Sequence, residues 1–264
     1  MEMFSLVGFR AVLGKELREA WRTGRLPITL IVFFILGALS PLAAYYTPEL
    51  LKNATGTSGV QIIGLTPTLK DAIVQYIKNV GGNGFLIAIV LAMGSIAREK
   101  ERGTAAFLLA KPVSRLAFLA AKFTGLLVTL ALGMVVATLV AYAYTVYFFG
   151  ATSASAFAWM ALLIWLSIVA FMALTFLASA LTRSTVTAAS LGFAAWLVLA
   201  LLGISPRLAP NTPNGLFEPA QALALGLTAP HLTQSVVATI ALILVALAAT
   251  VAVFSRQELS GAAV

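Results

Sequence analysis

The charged residues best suited to a molecular interaction lie in one short segment. Positions 98–102 read Arg-Glu-Lys-Glu-Arg, and Gly103, Thr104 and an apolar run over 105–110 follow them. Alternating charges beside apolar side chains provide neither a nucleophile with its base nor a metal-ligand set. A solvated loop that only orients the chain has little need for the apolar run, which suits burial against another protein or the bilayer. The segment therefore predicts a docking surface.

Residues for covalent or metal chemistry are scarce. The chain has no cysteine, and its one histidine, His231, suits a loop or interfacial role. Disulfides, thiolate metal sites and cysteine nucleophiles are therefore excluded. Residues 8–15 resemble a phosphate loop, but five residues separate the glycines and Glu16 replaces the Ser or Thr that holds magnesium. We predict that the chain is not an enzyme and binds no cofactor, neither ATP nor magnesium.

The composition indicates lipid as the solvent of this chain. Of its 264 residues, 61% are hydrophobic and 10% are charged, with a mean hydropathy of +1.00. A soluble domain carries about a quarter charged residues. The pI near 10.1 could suggest nucleic acid. Membrane orientation explains the basic excess better, so we predict contact with membrane lipid and none with nucleic acid.

The elements that position the charged segment are long apolar stretches. Each is long enough to cross a bilayer as a helix, except that the second is short and needs its flanking residues. We predict an all-α integral membrane protein with one transmembrane domain over 1–264. The predicted spans are about 26–47, 82–98, 117–149, 156–181, 186–204 and 232–254.

The cationic residues are distributed unevenly between the loops. Of the 17 Lys and Arg residues, 13 lie in the first 25 residues, in 98–122, at Arg183 and at Arg256. Only Lys52, Lys70, Lys78 and Arg207 lie elsewhere. Cytoplasmic loops hold the excess of Lys and Arg, so both termini are predicted to be cytoplasmic and the protein to lie in the inner or plasma membrane.

Shorter elements complete the predicted layout. Residues 4–23 have the pattern of an amphipathic helix lying in the cytoplasmic interface. The outer loops are predicted over 48–81 and 205–231. Inside the first of them, Thr68 and Asp71 have capping-box spacing and start a helix over 68–79 that rests on the outer leaflet or on the other spans.

The middles of the spans contain essentially no ionisable residue. Intramembrane ionisable residues usually mark proton relays or ion pathways, so their absence argues against a proton-coupled carrier. An apolar wall without fixed charges slightly favours hydrophobic cargo over ions.

The loop 96–115, IAREKERGTAAFLLAKPVSR, resembles a known sequence pattern. It is similar to the E-x-E-x-G-T…L…P-hydrophobic-S-R loop of type-2 permeases of ATP-binding-cassette (ABC) exporters, particularly small six-span subunits such as the nitrous-oxide-reductase maturation and sodium-efflux permeases. Residues 13–28 look like that family's amphipathic entry helix. Residues 217–226 look like its Asn-Pro-containing outer segment, with Glu218 in place of Asn.

This resemblance implies a permease subunit that forms a substrate path as a homodimer, or as a pair with a homologous permease. A separate ABC ATPase subunit would bind ATP and magnesium. The loop 98–115 would carry a coupling helix seated on that ATPase, and Arg183 would make a second contact. The residues implied at the coupling surface are Glu99, Glu101, Arg102, Gly103, Thr104 and Arg183.

Two other functions fit the same layout. One is a stand-alone channel or carrier, which would move solute without nucleotide. The other is a non-transporting assembly or signalling subunit whose basic loop recruits a cytoplasmic partner.

Overall fold

The computed structural model describes residues 6–55, 66–101 and 114–256, and this part of the chain is helical without any β-strand. The apolar composition favours helices because a helix satisfies its backbone hydrogen bonds internally, as a lipid environment requires. The helices are α1 (Leu6–Arg22), α2 (Arg25–Thr55), α3 (Leu69–Tyr76), α4 (Gly82–Ala92), α5 (Ala97–Glu101), α6 (Arg115–Phe149), α7 (Ala154–Leu181), α8 (Thr185–Leu202), α9 (Phe217–Ala224) and α10 (Leu232–Arg256).

Six helical segments within the described ranges are long and apolar enough to cross a membrane. They alternate in direction, so the starts of α2, α6 and α8 and the ends of α5, α7 and α10 lie together. We call this the basic end, because most of the cationic residues lie there. The segments are Arg25–Glu49, Leu69–Glu101, Arg115–Phe149, Ala154–Leu181, Thr185–Leu202 and Leu232–Arg256.

The second span differs from its predicted bounds of 82–98. It begins at Leu69, where Thr68 and Asp71 form the predicted capping box. The helical path is not broken at the glycines 81 and 82. A π-helical turn, Ile77–Gly81, follows α3 and continues directly into α4, which begins at Gly82. Of the predicted outer loop 48–81, the part from Leu69 is therefore the first section of this span. Its buried side chains pack on α2 and the interior of the bundle, not on a free leaflet surface.

The centre of the bundle is α7. Its most apolar stretch is 72% buried, against 11% for α8, because α7 packs against α4, α8, α9 and α10. A helix that is apolar on all sides suits such a central position. The remaining spans therefore surround α7, and their outer faces are left for lipid or for another protein.

The helices α2 and α6 pack closely side by side. Phe33 is fully buried and lies over Gly133, where a Cβ would come within 2.5 Å of its ring. Small residues at helix contacts let backbones approach each other in membranes. This pairing holds α6 in position, and α6 carries Lys122 of the functional site described below.

Candidate functional site

Charged groups from three helices meet at one buried ammonium. The Lys122 side chain in α6 is 4% exposed, and its Nζ lies 2.8 Å from Oε1 of Glu16 in α1 and 2.9 Å from Oε1 of Glu99 in α5. Removing a charge from water costs several kcal/mol per ion unless partners compensate. The burial of each group therefore depends on the other two. We call Glu16, Glu99 and Lys122 the ion cluster.

Local sequence explains how α6 and α1 position this cluster. Ser114 begins α6 as its N-cap, with Oγ accepting the N–H of Ala117 at 3.2 Å, as its position in the sequence predicts. One turn beyond Lys122 stands Gly125, where a Cβ would lie 3.2 Å from the Cβ of Glu16. The missing side chain lets α1 approach. The Lys122 ammonium also lies 5.2 Å from the ring centroid of Phe118, a favourable cation–π distance.

Weaker ion pairs surround the cluster. Lys15 Nζ lies 3.5 Å from Oε1 of Glu99 and 3.9 Å from Oε2 of Glu19, and Arg25 lies 3.2 Å from Glu19. Lys15 is 45% exposed, so its pairs are screened by solvent. Its charge nevertheless balances the second carboxylate of the ion cluster.

The second span is interrupted just before the ion cluster. The helix α4 stops at Ala92, residues 93–96 form a turn, and α5 begins at Ala97. Gly94 and Ser95 occupy the turn, and Gly/Ser pairs are a usual cause of sharp helix kinks. The interruption leaves backbone groups of Met93, Ile96 and Ala97 without partners in the helix.

The hydroxyl of Ser179 in α7 satisfies all three of these groups. Its Oγ accepts the N–H of Ile96 at 3.0 Å and the N–H of Ala97 at 2.9 Å, and it donates to the carbonyl oxygen of Met93 at 2.9 Å. A hydroxyl has one donor and two acceptor sites, so Ser179 is saturated. It is fully buried. One side-chain atom of the central helix therefore bonds to the residues on both sides of the interruption.

Two further cations anchor the helix ends at the same place. The Lys100 ammonium donates to the carbonyl oxygen of Ala180 and lies 5.8 Å from the ring centroid of Phe254. The Arg115 guanidinium donates to the carbonyl oxygens of Phe254 and Ser255, at 3.2 and 2.8 Å. The last carbonyls of a helix lack partners within it, so cations stabilise them. These contacts join α5 to α7, and the start of α6 to the end of α10.

This arrangement can carry force but shows no chemistry of its own. Within the described ranges, no group of three His, Cys, Asp or Glu residues is placed to hold a metal ion. On either side of residues 102–113, the described residues are instead held to the bundle, Glu99 by the ion cluster and Arg115 by the end of α10.

The structure separates the predicted site residues into two groups. Glu99 is only 14% exposed and takes part in the ion cluster. Glu101 ends α5 and is exposed, and Arg183 is exposed in the short turn between α7 and α8. These two residues remain accessible to a partner at the basic end. Arg102, Gly103 and Thr104 lie outside the described residues, and the coupling role of the whole set stays a prediction.

Sequence reasoning missed the residues that hold this site together. In the sequence, Glu16 and Lys122 look like typical charged residues of the basic segments, although each has apolar neighbours on its helix. Ser179 looks like one of many small residues in an apolar span. Only the kink-prone pair Gly94-Ser95, in the short second apolar stretch, could have indicated that a partner was needed nearby.

These features define a multi-pass helical membrane protein. Residues 10–259 match the sequence profile described as "ABC-2 family transporter protein". The chain therefore belongs to the ABC-2 transporter family of membrane transport components, which confirms the resemblance drawn from the loop 96–115.

The chain is also similar to an uncharacterized transmembrane protein of Bacillus subtilis (strain 168), YxlG. The two are 29% identical over 114 residues. This region is 43% of the present chain and 44% of the relative, so the match spans less than half of either protein.

The ion cluster predicts a large stability effect at Lys122. We expect Lys122→Met to lower the free energy of unfolding by about 3–5 kcal/mol, because the Glu16 carboxylate would stay buried without its counter-ion and Glu99 would keep only its solvent-screened pair with Lys15. Thermal unfolding of the purified protein in detergent micelles measures the change. Lys15→Met, a matched change at an exposed lysine, should cost about 0–1 kcal/mol.

A rescue variant separates lost charge from lost packing. Adding Glu16→Gln and Glu99→Gln to Lys122→Met removes the unpaired charges and should restore most of the lost stability. Equal unfolding temperatures for Lys122→Met and Lys15→Met would contradict the assignment of the ion cluster.

The contacts of Ser179 predict a local change in backbone protection. We expect Ser179→Ala to speed hydrogen exchange selectively over residues 93–97 and to destabilise the protein by about 1–3 kcal/mol, since buried donors lose their acceptor. Exchange measured by mass spectrometry tests this. Ser190→Ala is the control, because Ser190 is exposed and donates only to Val186 in its own helix. Unchanged exchange over 93–97 would disprove the role of Ser179.

Proposed function

We propose that this chain is the permease subunit of an ATP-driven ABC exporter and couples to a separate ATPase subunit through the segment after the second span. The observation that carries this proposal is the fixation of both edges of residues 102–113. Glu99 is held by Lys122, and Arg115 is held by the end of α10. Family membership supports an ABC ATPase as the partner in general.

The mechanism follows from these attachments. The ATPase would bind ATP and magnesium, and its closure would displace the segment 102–113. The displacement would pass through the ion cluster to α1 and α6, and through Ser179 to the central helix α7. A ligand or partner shifts a conformational equilibrium only by its different affinity for the two states. The ATPase must therefore bind the basic end more tightly in one state of the bundle.

The membrane orientation is part of the proposal. The basic end carries most of the Lys and Arg residues, which accumulate on the cytoplasmic side. We therefore place this end in the cytoplasm, with both termini there and the protein in the inner or plasma membrane. Glu101 and Arg183 would then be accessible to a cytoplasmic ATPase.

Pairing of two permease chains is also proposed. Only 11% of the residues of α8 are buried, against 72% in the most apolar stretch of α7, so much of the apolar surface of α8 is open to lipid or to a second chain. A substrate path between paired chains requires such an uncovered span. The second chain would be an identical copy or a homologous permease.

The coupling surface is tested by removing two of its charges. We expect Glu101→Ala combined with Arg102→Ala to reduce stimulation of the co-purified ATPase about tenfold, or ~1.4 kcal/mol in activation free energy, while membrane insertion is unchanged. The measurement is ATP hydrolysis by the tagged complex reconstituted in lipid nanodiscs.

The matched control removes one Arg and one Glu at the end of the bundle opposite the basic end. Arg207 and Glu218 are both exposed there, so Arg207→Ala with Glu218→Ala should leave hydrolysis unchanged. Equal activity of the two double variants would contradict the coupling role. Flux in liposomes holding this chain alone, without nucleotide, would favour a stand-alone channel or carrier. A complex whose ATPase never responds to solute would favour an assembly subunit.

A further inference from the structure

The second span carries a polar face that neither the fold nor the coupling site explains. Lys78, Gly82 and Asn83 are exposed, and Gln75 and Asn79 are partly exposed beside them. Further along, the same helix exposes only apolar side chains, at Leu86 and Val90. We call Gln75, Lys78, Asn79, Gly82 and Asn83 the polar face.

Contacts with α7 place this face at membrane depth. Gly81 lies against Ile164, and Gly84 lies against Ile168. These residues of α7 are ten and fourteen positions beyond Ala154, so they lie roughly 15 and 21 Å from its outer end at about 1.5 Å per residue. The hydrocarbon core is about 30 Å thick, so Asn83 lies within its depth, while Lys78, three residues before Gly81, lies nearer the outer surface.

Contact with lipid is unfavourable for such a face. Its carboxamides make some hydrogen bonds, from Gln75 to Asn79 at 3.3 Å, from Asn79 to Ser40 at 3.3 Å, and from Asn83 to the Asn79 carbonyl oxygen at 3.0 Å. Each of these side-chain amide nitrogens has a second N–H group to donate, and polar groups without partners are costly in hydrocarbon. An ammonium in hydrocarbon is more costly still. The face therefore requires water or a polar ligand.

The charge of the face is positive. In the described ranges, no carboxylate lies within ion-pair distance of Lys78. The Asp71 carboxylate belongs to the capping box, where it accepts from the Thr68 N–H at 2.9 Å and hydroxyl at 2.6 Å. Amide and ammonium donors without a carboxylate favour an anionic ligand.

The backbone leaves room for a ligand at this point. The turn Ile77–Gly81 is π-helical, and π-helical turns frequently accompany functional sites. A Cβ at Gly82 would meet no atom within 4 Å, so the surface between Lys78 and Asn83 is open.

We propose that the polar face lines a water-filled vestibule and binds the phosphate or carboxylate group of a transported ligand. The inference rests on the proposed permease function and specifies its cargo class. It replaces the expectation of hydrophobic cargo, because that expectation placed Lys78 in a loop outside the spans. The anionic group belongs either to a soluble ion or to a lipid headgroup.

Thiol labelling tests the vestibule without any ATPase. The chain has no cysteine, so Asn83→Cys and Gly82→Cys each introduce a single thiol. The full chain in phosphatidylcholine nanodiscs is reacted with two charged methanethiosulfonates, the anionic ethylsulfonate and the cationic ethyltrimethylammonium. Leu139→Cys is the apolar control. Leu139 is exposed on α6 beside Thr138, whose hydroxyl is hydrogen-bonded to Tyr76 at 3.0 Å. It therefore lies roughly 10 Å nearer the outer surface than Asn83 at about 1.5 Å per residue, and depth alone would favour its reaction.

We expect both polar-face thiols to react at least tenfold faster than Leu139→Cys. Relative to the rates of the two reagents with a free thiol in solution, the anionic reagent should be preferred severalfold. Lys78→Gln should abolish this preference while the thiol stays reactive. Reaction as slow as that of Leu139→Cys at both positions would overturn the vestibule. A missing preference, or one that survives Lys78→Gln, would overturn the anion site.

Protection experiments identify the source of the anion. Slower labelling in inorganic phosphate supports a soluble anion, and slower labelling in phosphatidylglycerol nanodiscs supports a headgroup. Protection by neither contradicts anion binding at this face. Since no ATPase is present, normal labelling together with failed ATPase coupling would reject the permease mechanism and leave the anion site standing.

Discussion

The burial of one ammonium group constrains the whole basic end of this protein. Lys122 cannot be withdrawn from water unless Glu16 and Glu99 accompany it, because an uncompensated buried charge costs several kcal/mol. Two long spans, the second and third, and the helix α1 must therefore meet at this point. The helix α5, although only five residues long, is thereby held in place. Arg115 holds the start of α6 by the same physical means, a cation on carbonyl oxygens that α10 leaves unpaired.

The irregular geometry of the second span links this constraint to the rest of the bundle. The turn over 93–96 separates α4 from α5, which carries Glu99 to Lys122. Ser179 compensates for the interruption, so its backbone groups are bonded to the central helix. The same span has a π-helical turn nearer its other end, beside the polar face. One helix therefore connects the proposed coupling surface to the proposed anion site, with the rigid segment Gly82–Ala92 between its two irregular turns.

Local patterns predicted much of the fold, and tertiary pairing accounts for what they missed. Apolar length indicated the helical class, and side-chain spacing predicted the cap at Thr68, since these signals depend on a few neighbouring residues. The outer loop over 48–81 was predicted to contain a helix over 68–79 that rests on the outer leaflet or on the other spans. In the structure the residues from Leu69 belong to the second span, and their buried face, at Ile73 and Tyr76, packs on the other helices. The ion cluster joins positions about a hundred residues apart, and no single-sequence pattern pairs Glu16 with Lys122.

The most direct measurement of this arrangement is the side of the membrane on which the basic end lies. Single cysteines in place of Glu101 and Arg207, in a chain without native cysteine, can be labelled with an impermeant maleimide in intact cells and in opened membranes. We expect Glu101→Cys to react only after the membrane is opened and Arg207→Cys to react in intact cells. Labelling of Glu101→Cys from outside would contradict a cytoplasmic coupling surface, and with it the delivery of force from an ATPase through the ion cluster.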